Sequence, residues 1–154
     1  MRIEYLIPDN LGFEDLQSAL QKDARVLPEP ARTVYRTYYD SFDWRLFLDD
    51  SLLEDTCEDK VHTLAWRTLQ GEDRCPRLKT KTTPRFARDL PQGPFRKRLE
   101  PVLEMRELAP QARIRSRVST LRVLNRDEKT VAWLVFEENT LPKQRGTRTV
   151  KLEN

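Results

Sequence analysis

The chain has 154 residues, a net charge of +3 and 39 Leu, Ile, Val and Phe residues, about a quarter of the total. That is enough apolar material for one packed domain and more than a disordered chain carries. No apolar run approaches the roughly 20 residues of a membrane span, and the N-terminal MRIEYLIPDNLG lacks the apolar stretch of a secretory signal.

In chain order, residues 2–7 (RIEYLI) alternate, with Ile3, Tyr5 and Ile7 on one face and Arg2, Glu4 and Leu6 on the other. This predicts a strand, ended by Pro8. Residues 13–24 read as an amphipathic helix, since Phe13, Leu16 and Leu20 fall on one side and Asp9 or Asn10 can cap its start. Residues 33–40 (TVYRTYYD) are β-branched and aromatic and predict a strand, with another over 44–53. Residues 61–69 predict a strand ended by a turn at Gly71-Glu72-Asp73, and 77–83 a short alternating strand stopped by Pro84. Residues 84–95 hold three prolines and a glycine and read as loop, followed by a short helix over 96–105 that Pro101 would kink or admit late. Residues 112–124 and 130–137 are the clearest strands, joined by a hairpin turn at 125–129, and 147–152 make one more. The sum is six to eight strands with two or three short helices, antiparallel where hairpins are legible, and a barrel or strongly curved sheet is the economical architecture.

The composition excludes several chemistries. Cys57 and Cys75 form no Cys-x-x-Cys pattern, which excludes a zinc ribbon or disulfide scaffold and favours a reduced, cytoplasmic setting. His62 is the single histidine, so histidine metal clusters are absent. It reads as a structural residue, and neither cysteine has a sequence neighbour that suggests activation. The four glycines are too scattered for a phosphate loop. Trp44, Trp66 and Trp133 read as core.

Charge is segregated. Residues 40–59 hold eight acids and one base, residues 74–98 nine bases and one acid, and residues 106–126 six arginines and one acid. Arginine outnumbers lysine 20 to 8, and its planar fork matches phosphate oxygens. Arg113, Arg115 and Arg117 leave the same face of a strand. Three guanidinium groups roughly 7 Å apart repel one another unless an anion lies across them or acids interleave. A phosphate-binding strip and a solvated edge strand both satisfy this spacing. Lys79 and Lys81 share a face of their short strand, and Arg36 shares one with Tyr38 and Asp40. Glu4 and Glu137 are carboxylates within strands that would suit Mg²⁺ beside phosphate oxygens.

The order of these segments resembles the CYTH superfamily, the triphosphate tunnel proteins, and is most similar to the divergent CYTH domains that bacteria fuse ahead of a CHAD domain. The resemblance spans residues 2–140. Tyr38-Tyr39-Asp40-Ser41 resembles the family's Tyr-Phe-Asp-Thr segment, Arg113 to Arg117 its basic strand, and Asp127-Glu128-Lys129 its hairpin. The resemblance implies an eight-stranded antiparallel tunnel barrel, mainly β with short helices, in one domain over 1–154. Its lumen would bind triphosphate groups, with a divalent metal held by acids. Against the family's Glu-x-Glu-x-Lys first strand, this chain has Arg2, Glu4 and Leu6, and against Leu-Glu-x-Glu it has Leu134, Val135, Phe136 and Glu137. Each motif keeps one acid. The chain stops at TRTVKLEN, where the family continues with a closing strand and helix, so a fragment with one open side is expected.

The combined expectation is binding of polyphosphate, triphosphate or nucleotide ligands in a basic tunnel with weakened catalysis. Arg113, Arg115, Arg117, Lys79, Lys81 and Arg36 are the expected phosphate ligands. Glu4 and Glu137 would hold Mg²⁺ or Mn²⁺, joined by Asp40 if the chain is an active triphosphatase, and no catalytic residue is assigned. The alternatives are an active metal-dependent triphosphatase and an interaction or nucleic-acid-binding β-module. Nucleic acid ranks last because no aromatics interleave with the arginines. An adjoining CHAD domain is the expected protein partner, and no membrane association is expected.

Overall fold

The computed structural model describes residues 2–142 and 144–153. These form nine β-strands, three α-helices and one 3-10 turn, so the expected class, mainly β with short helices, is the one observed. The chain divides into two units, residues 1–34 with 115–154, and residues 35–114. Strand pairs within each unit are antiparallel. No described helix is long and apolar enough to cross a membrane.

The first unit is built on β1 (Arg2–Leu6), α1 (Phe13–Leu20), β2 (Arg25–Pro28), the C-terminal part of β7 (Ala109–Leu124), β8 (Thr130–Leu141) and β9 (Gln144–Glu153). Its strands run in the order β1, β9, β8, β7, β2. Strand alternation gives this sheet two different faces. On one, Leu121, Phe136 and Val150 are buried, and Phe13 of α1 meets Phe136 with ring centroids 6.1 Å apart. The other carries Glu4, Thr120, Glu137, Thr149 and Lys151. The hairpin at 125–129 closes as expected, because Asn125 Oδ1 accepts from the amides of Asp127 and Lys129 at 3.0 and 2.9 Å. The helix is shorter than expected and starts after Gly12, whose amide donates to Asp15 Oδ2 at 2.7 Å; neither Asp9 nor Asn10 caps it. The ninth strand is β2, four residues that end on a proline and escaped the sequence patterns.

The second unit holds most of β3 (Arg32–Asp40), then α2 (Arg45–Leu48), β4 (Ser51–Glu58), β5 (Val61–Thr68), β6 (Leu78–Thr80) and α3 (Pro94–Leu103). The sheet order is β3, β4, β5, β6. One face buries Leu53, Leu64 and Trp66 against Leu46 of α2 and Phe95, Leu99 and Leu103 of α3. Trp66 and Phe95 lie 6.5 Å apart, and the indole N–H donates to Ser51 Oγ at 2.9 Å, which satisfies its polar end. Helix α3 begins at Pro94, where a missing amide costs nothing, whereas Pro101 lies inside it, two residues before its end at Leu103, and forfeits one backbone hydrogen bond there.

The expected strand over 44–53 is instead α2 followed by β4. Asp40 is the cause. Its buried carboxylate accepts from the amides of Ser41, Leu46 and Phe47 at 2.8, 2.9 and 3.0 Å, and so folds the chain into a turn of helix. Trp44 enters that helix in the left-handed region (φ 57°) and stays 51% exposed. Trp133, at 40%, is likewise outside the core, and of the three tryptophans only Trp66 is buried.

Candidate functional site

The polar face of the second unit gathers charges from four strands. The register places Arg36 opposite Thr56, Thr56 opposite Thr63, and Thr63 opposite Lys79. Directly opposite residues share a face, so the expected partners Arg36 and Lys79 lie on one surface. One step along, Tyr38 faces Glu54 and Glu54 faces Ala65. Glu54 is 7% exposed. Its oxygens accept from Arg67 Nη2 at 2.5 Å and Thr56 Oγ1 at 3.1 Å, and Tyr38 donates a further hydrogen bond. Burial first, then the Glu54 carboxylate, pushes the Tyr38 phenol far above its ordinary value, so it stays protonated and remains a donor. Arg67 and Glu54 are therefore site residues that the sequence reading did not single out. Their signal was the alternation of β4 and β5, where Glu54 and Arg67 fall in step with Thr56 and Thr63.

Lys81 lies just beyond β6 and is exposed. With Lys79 it lines a cleft of about 450 Å³, together with Thr80, Thr83, Arg85 and Asp89. Lys79 and Lys81 thus line one cleft, although Lys81 falls outside the strand on which the two were expected to share a face.

In the first unit, Glu4 lies directly opposite Lys151, and Lys151 Nζ donates to Glu137 Oε2 at 2.8 Å. Glu137 is buried and Glu4 exposed. The two expected metal acids do share a face, but an ammonium group pairs with one and faces the other. Arg115 and Arg117 are exposed on the opposite face, where Arg117 stands across from Glu138 and Glu138 pairs with Arg148 at 3.3 Å. The acids and these two arginines cannot meet one ligand on this sheet. Their alternating neighbours Ser116 and Val118, fully buried, share the face of Glu137. Arg113 belongs to the other unit and is exposed.

These donors do not fit a resident divalent ion. Asp40, the third expected acid, gives both oxygens to backbone amides. Glu137 is already neutralised by Lys151. Among the described residues no three His, Cys, Asp or Glu side chains are grouped to hold a metal. An oxygen-ligand metal site needs several such donors or substrate oxygens.

No family profile matches the chain, and no curated protein is similar in sequence. Solved structures do match in fold. An adenylate cyclase candidate from Bacillus halodurans superposes with a TM-score of 0.63 at 12% identity, covering 99% of this chain and 79% of its own. An adenylyl cyclase candidate from Hippeastrum, described as having a dominant triphosphatase activity, gives 0.65 at 13%, covering 99% and 78%. A third adenylate cyclase candidate, from Vibrio parahaemolyticus, gives 0.53 at 9%, covering 100% and 75%. The chain has the fold of this cyclase and triphosphatase group.

Proposed function

We propose that the chain is a CYTH-type domain that binds triphosphate or polyphosphate, with little or no turnover. The carrying observation is the surface that sets Arg36, Arg67 and Lys79 in register around Glu54. Cations presented from neighbouring strands match a ligand with several linked phosphates, and arginine forks pair phosphate oxygens two at a time. The similar folds, one of them reported as a triphosphatase, support the same ligand class. Weak turnover follows from the acids. Metal-assisted phosphoryl transfer needs a cation that neutralises developing charge, and here the paired ammonium of Lys151 stands between Glu4 and Glu137. On this reading Mg²⁺ or Mn²⁺ enters only with the phosphates it accompanies. The exposed arginines 113, 115 and 117 then serve an outer contact, of which an adjoining CHAD domain is one form.

The test is a thermal-shift titration with tripolyphosphate, with and without Mg²⁺, on wild type, Lys79→Ala and Arg115→Ala. Stabilisation of wild type at up to about millimolar ligand, reduced in Lys79→Ala and kept in Arg115→Ala, is the expected result. No shift in wild type overturns the binding reading. A shift abolished by Arg115→Ala moves the ligand to the arginine strip. Steady metal-dependent phosphate release, lost in Glu4→Ala, would establish the active triphosphatase instead.

A further inference from the structure

The other face of the second unit carries a cluster that phosphate binding does not use. The β4–β5 hairpin turns at Asp59 and Lys60, both with positive φ (49° and 65°), as a tight two-residue turn requires. That turn sets Cys57 directly opposite His62. His62 Nε2 lies 3.8 Å from Cys57 Sγ, and His62 Nδ1 lies 2.8 Å from Asp55 Oδ2. Asp55 is 3% exposed, and its Oδ2 also accepts from Thr83 Oγ1 at 2.7 Å. Cys57 and His62 are half-buried, within reach of a small molecule.

The tautomer follows from the partners. A carboxylate can only accept, so Asp55 fixes the imidazole proton on Nδ1 and leaves the Nε2 lone pair directed at the thiol. Nucleophile, base and orienting acid stand in the order that activates a cysteine. The 3.8 Å separation is long, but such contacts close when a reactant is present. Thr83, which bonds Asp55, and Thr80, which lies opposite His62, both line a cleft that also holds Lys79, Lys81, Arg85 and Asp89; Arg85 is ion-paired with Glu107, so the two lysines carry the positive charge there. A reactant with carboxylates fits that balance of charge.

We propose that Cys57 is a covalent modification site for anionic low-molecular-weight disulfides, with His62 as general base and Asp55 as its positioning residue. The Cys57 proton passes to His62 Nε2 as Sγ attacks one sulfur of the disulfide. The S–S bond breaks, a mixed disulfide forms on Cys57, and the departing thiolate takes the proton from His62. The second thiol, Cys75, is buried at 5% exposure, and its burial raises its pKa, so it does not compete.

The experiment compares initial rates of thiol release from a dianionic aromatic disulfide and from a neutral dipyridyl disulfide, with mass spectrometry locating the adduct formed with oxidised glutathione. One fast equivalent is expected. Cys57→Ser abolishes it and Cys75→Ser does not. An ordinary half-buried thiol reacts faster once the chain is unfolded in urea, whereas an activated one reacts more slowly; the folded protein should therefore be the faster, by about tenfold or more. His62→Gln and Asp55→Asn should lower the folded rate towards the unfolded one, while a packing role for either residue would expose Cys57 and raise it. Relative to free glutathione, the folded protein should favour the dianionic reagent over the neutral one. A faster reaction in urea, an adduct on Cys75, or a His62→Gln rate equal to wild type overturns the relay. Equal relative rates for the two reagents overturn the anionic preference. The urea comparison decides the matter even if a variant fails to fold, and none of these readouts depends on tripolyphosphate binding.

Discussion

Replacing Glu54 by Gln should move stability and ligand affinity in opposite directions. Glu54 is buried and accepts from Arg67, Thr56 and Tyr38. Gln keeps the volume and one acceptor but removes the charge that compensates the half-buried Arg67 guanidinium. Breaking a buried pair from one side costs about 3 kcal/mol, less whatever the amide recovers. The same change removes a negative charge from the surface proposed to hold phosphates. A ligand phosphate two strand spacings away, roughly 10 Å, feels about 1.7 kcal/mol from one unit charge at an effective dielectric of about 20. Screening at about 10 mM salt leaves about 1.2 kcal/mol, close to a sevenfold gain in affinity, and at about 150 mM salt the gain falls to about twofold. Urea unfolding should show the loss, and isothermal titration with tripolyphosphate at the two salt concentrations should show the gain and its salt dependence. Equal or weaker binding at low salt refutes the placement of the ligand on this face.

Other consequences concern the supporting residues. Asp40→Ala strips the acceptor from three amides and should cost about 3–5 kcal/mol in urea unfolding, with loss of the Trp44 near-ultraviolet signal; an unchanged midpoint would contradict its structural role. Asp43 is held at about 2 against an ordinary 3.8, chiefly by the hydrogen bond from Ser41 and then that from Arg45. A lowered carboxyl stabilises the fold above its unfolded value and loses that contribution as pH falls through 3.8 towards 2, so the melting difference between wild type and Asp43→Asn should be flat from neutral to about pH 5 and vanish near pH 2. Chelation with EDTA should leave the tripolyphosphate shift of wild type intact, because Lys151 already neutralises Glu137; a shift that disappears with EDTA would mean the metal is integral. Lys151→Ala leaves the buried Glu137 carboxylate without its ammonium partner and should cost about 3 kcal/mol in urea unfolding, with no melting shift on adding Mg²⁺ alone.

The strands were legible where alternation was long. β1, β3, β5, β7 and β8 follow from period-two patterns, and the 125–129 turn from its composition. Two misreadings have the same origin, hydrogen bonding between segments that no local pattern announces. The segment DSFDWRLFL is aromatic and apolar enough to look like a strand, yet one carboxylate that gathers amides six and seven residues ahead makes it helical. β2 has four residues and a terminal proline, and forms because β7 offers it a free edge at Leu121–Leu124. The site divided along similar lines. Spacing put Arg36 on one face with Tyr38, but only the register could join Arg36 to Lys79 across two intervening strands. Spacing also correctly put Arg115 and Arg117 on one face, while leaving open which face that was. Cys57 and His62 looked inert because their relation depends on a turn of Asp-Lys, a weaker hairpin signal than Asn-Gly or Asp-Gly.

The two polar faces differ in a way that bears on where a polyanion would bind. In the first unit Lys151 stands against Glu4 and Glu137, so the buried charge is met from within. In the second, apart from Asp40, whose oxygens face backbone amides, Arg36, Arg67 and Lys79 stand against Glu54 and Glu58. With three cations to two acids this face carries net positive charge, which attracts a polyanion. The threonines at 56 and 63 are the positions beside Arg36 and Lys79 where a further acid would stand. They are instead short hydroxyl side chains, which leave room and can donate to phosphate oxygens. Thr63→Glu is therefore the substitution that should stabilise the free protein while abolishing the tripolyphosphate shift, and a variant that gains stability and still binds would show that the phosphates lie elsewhere.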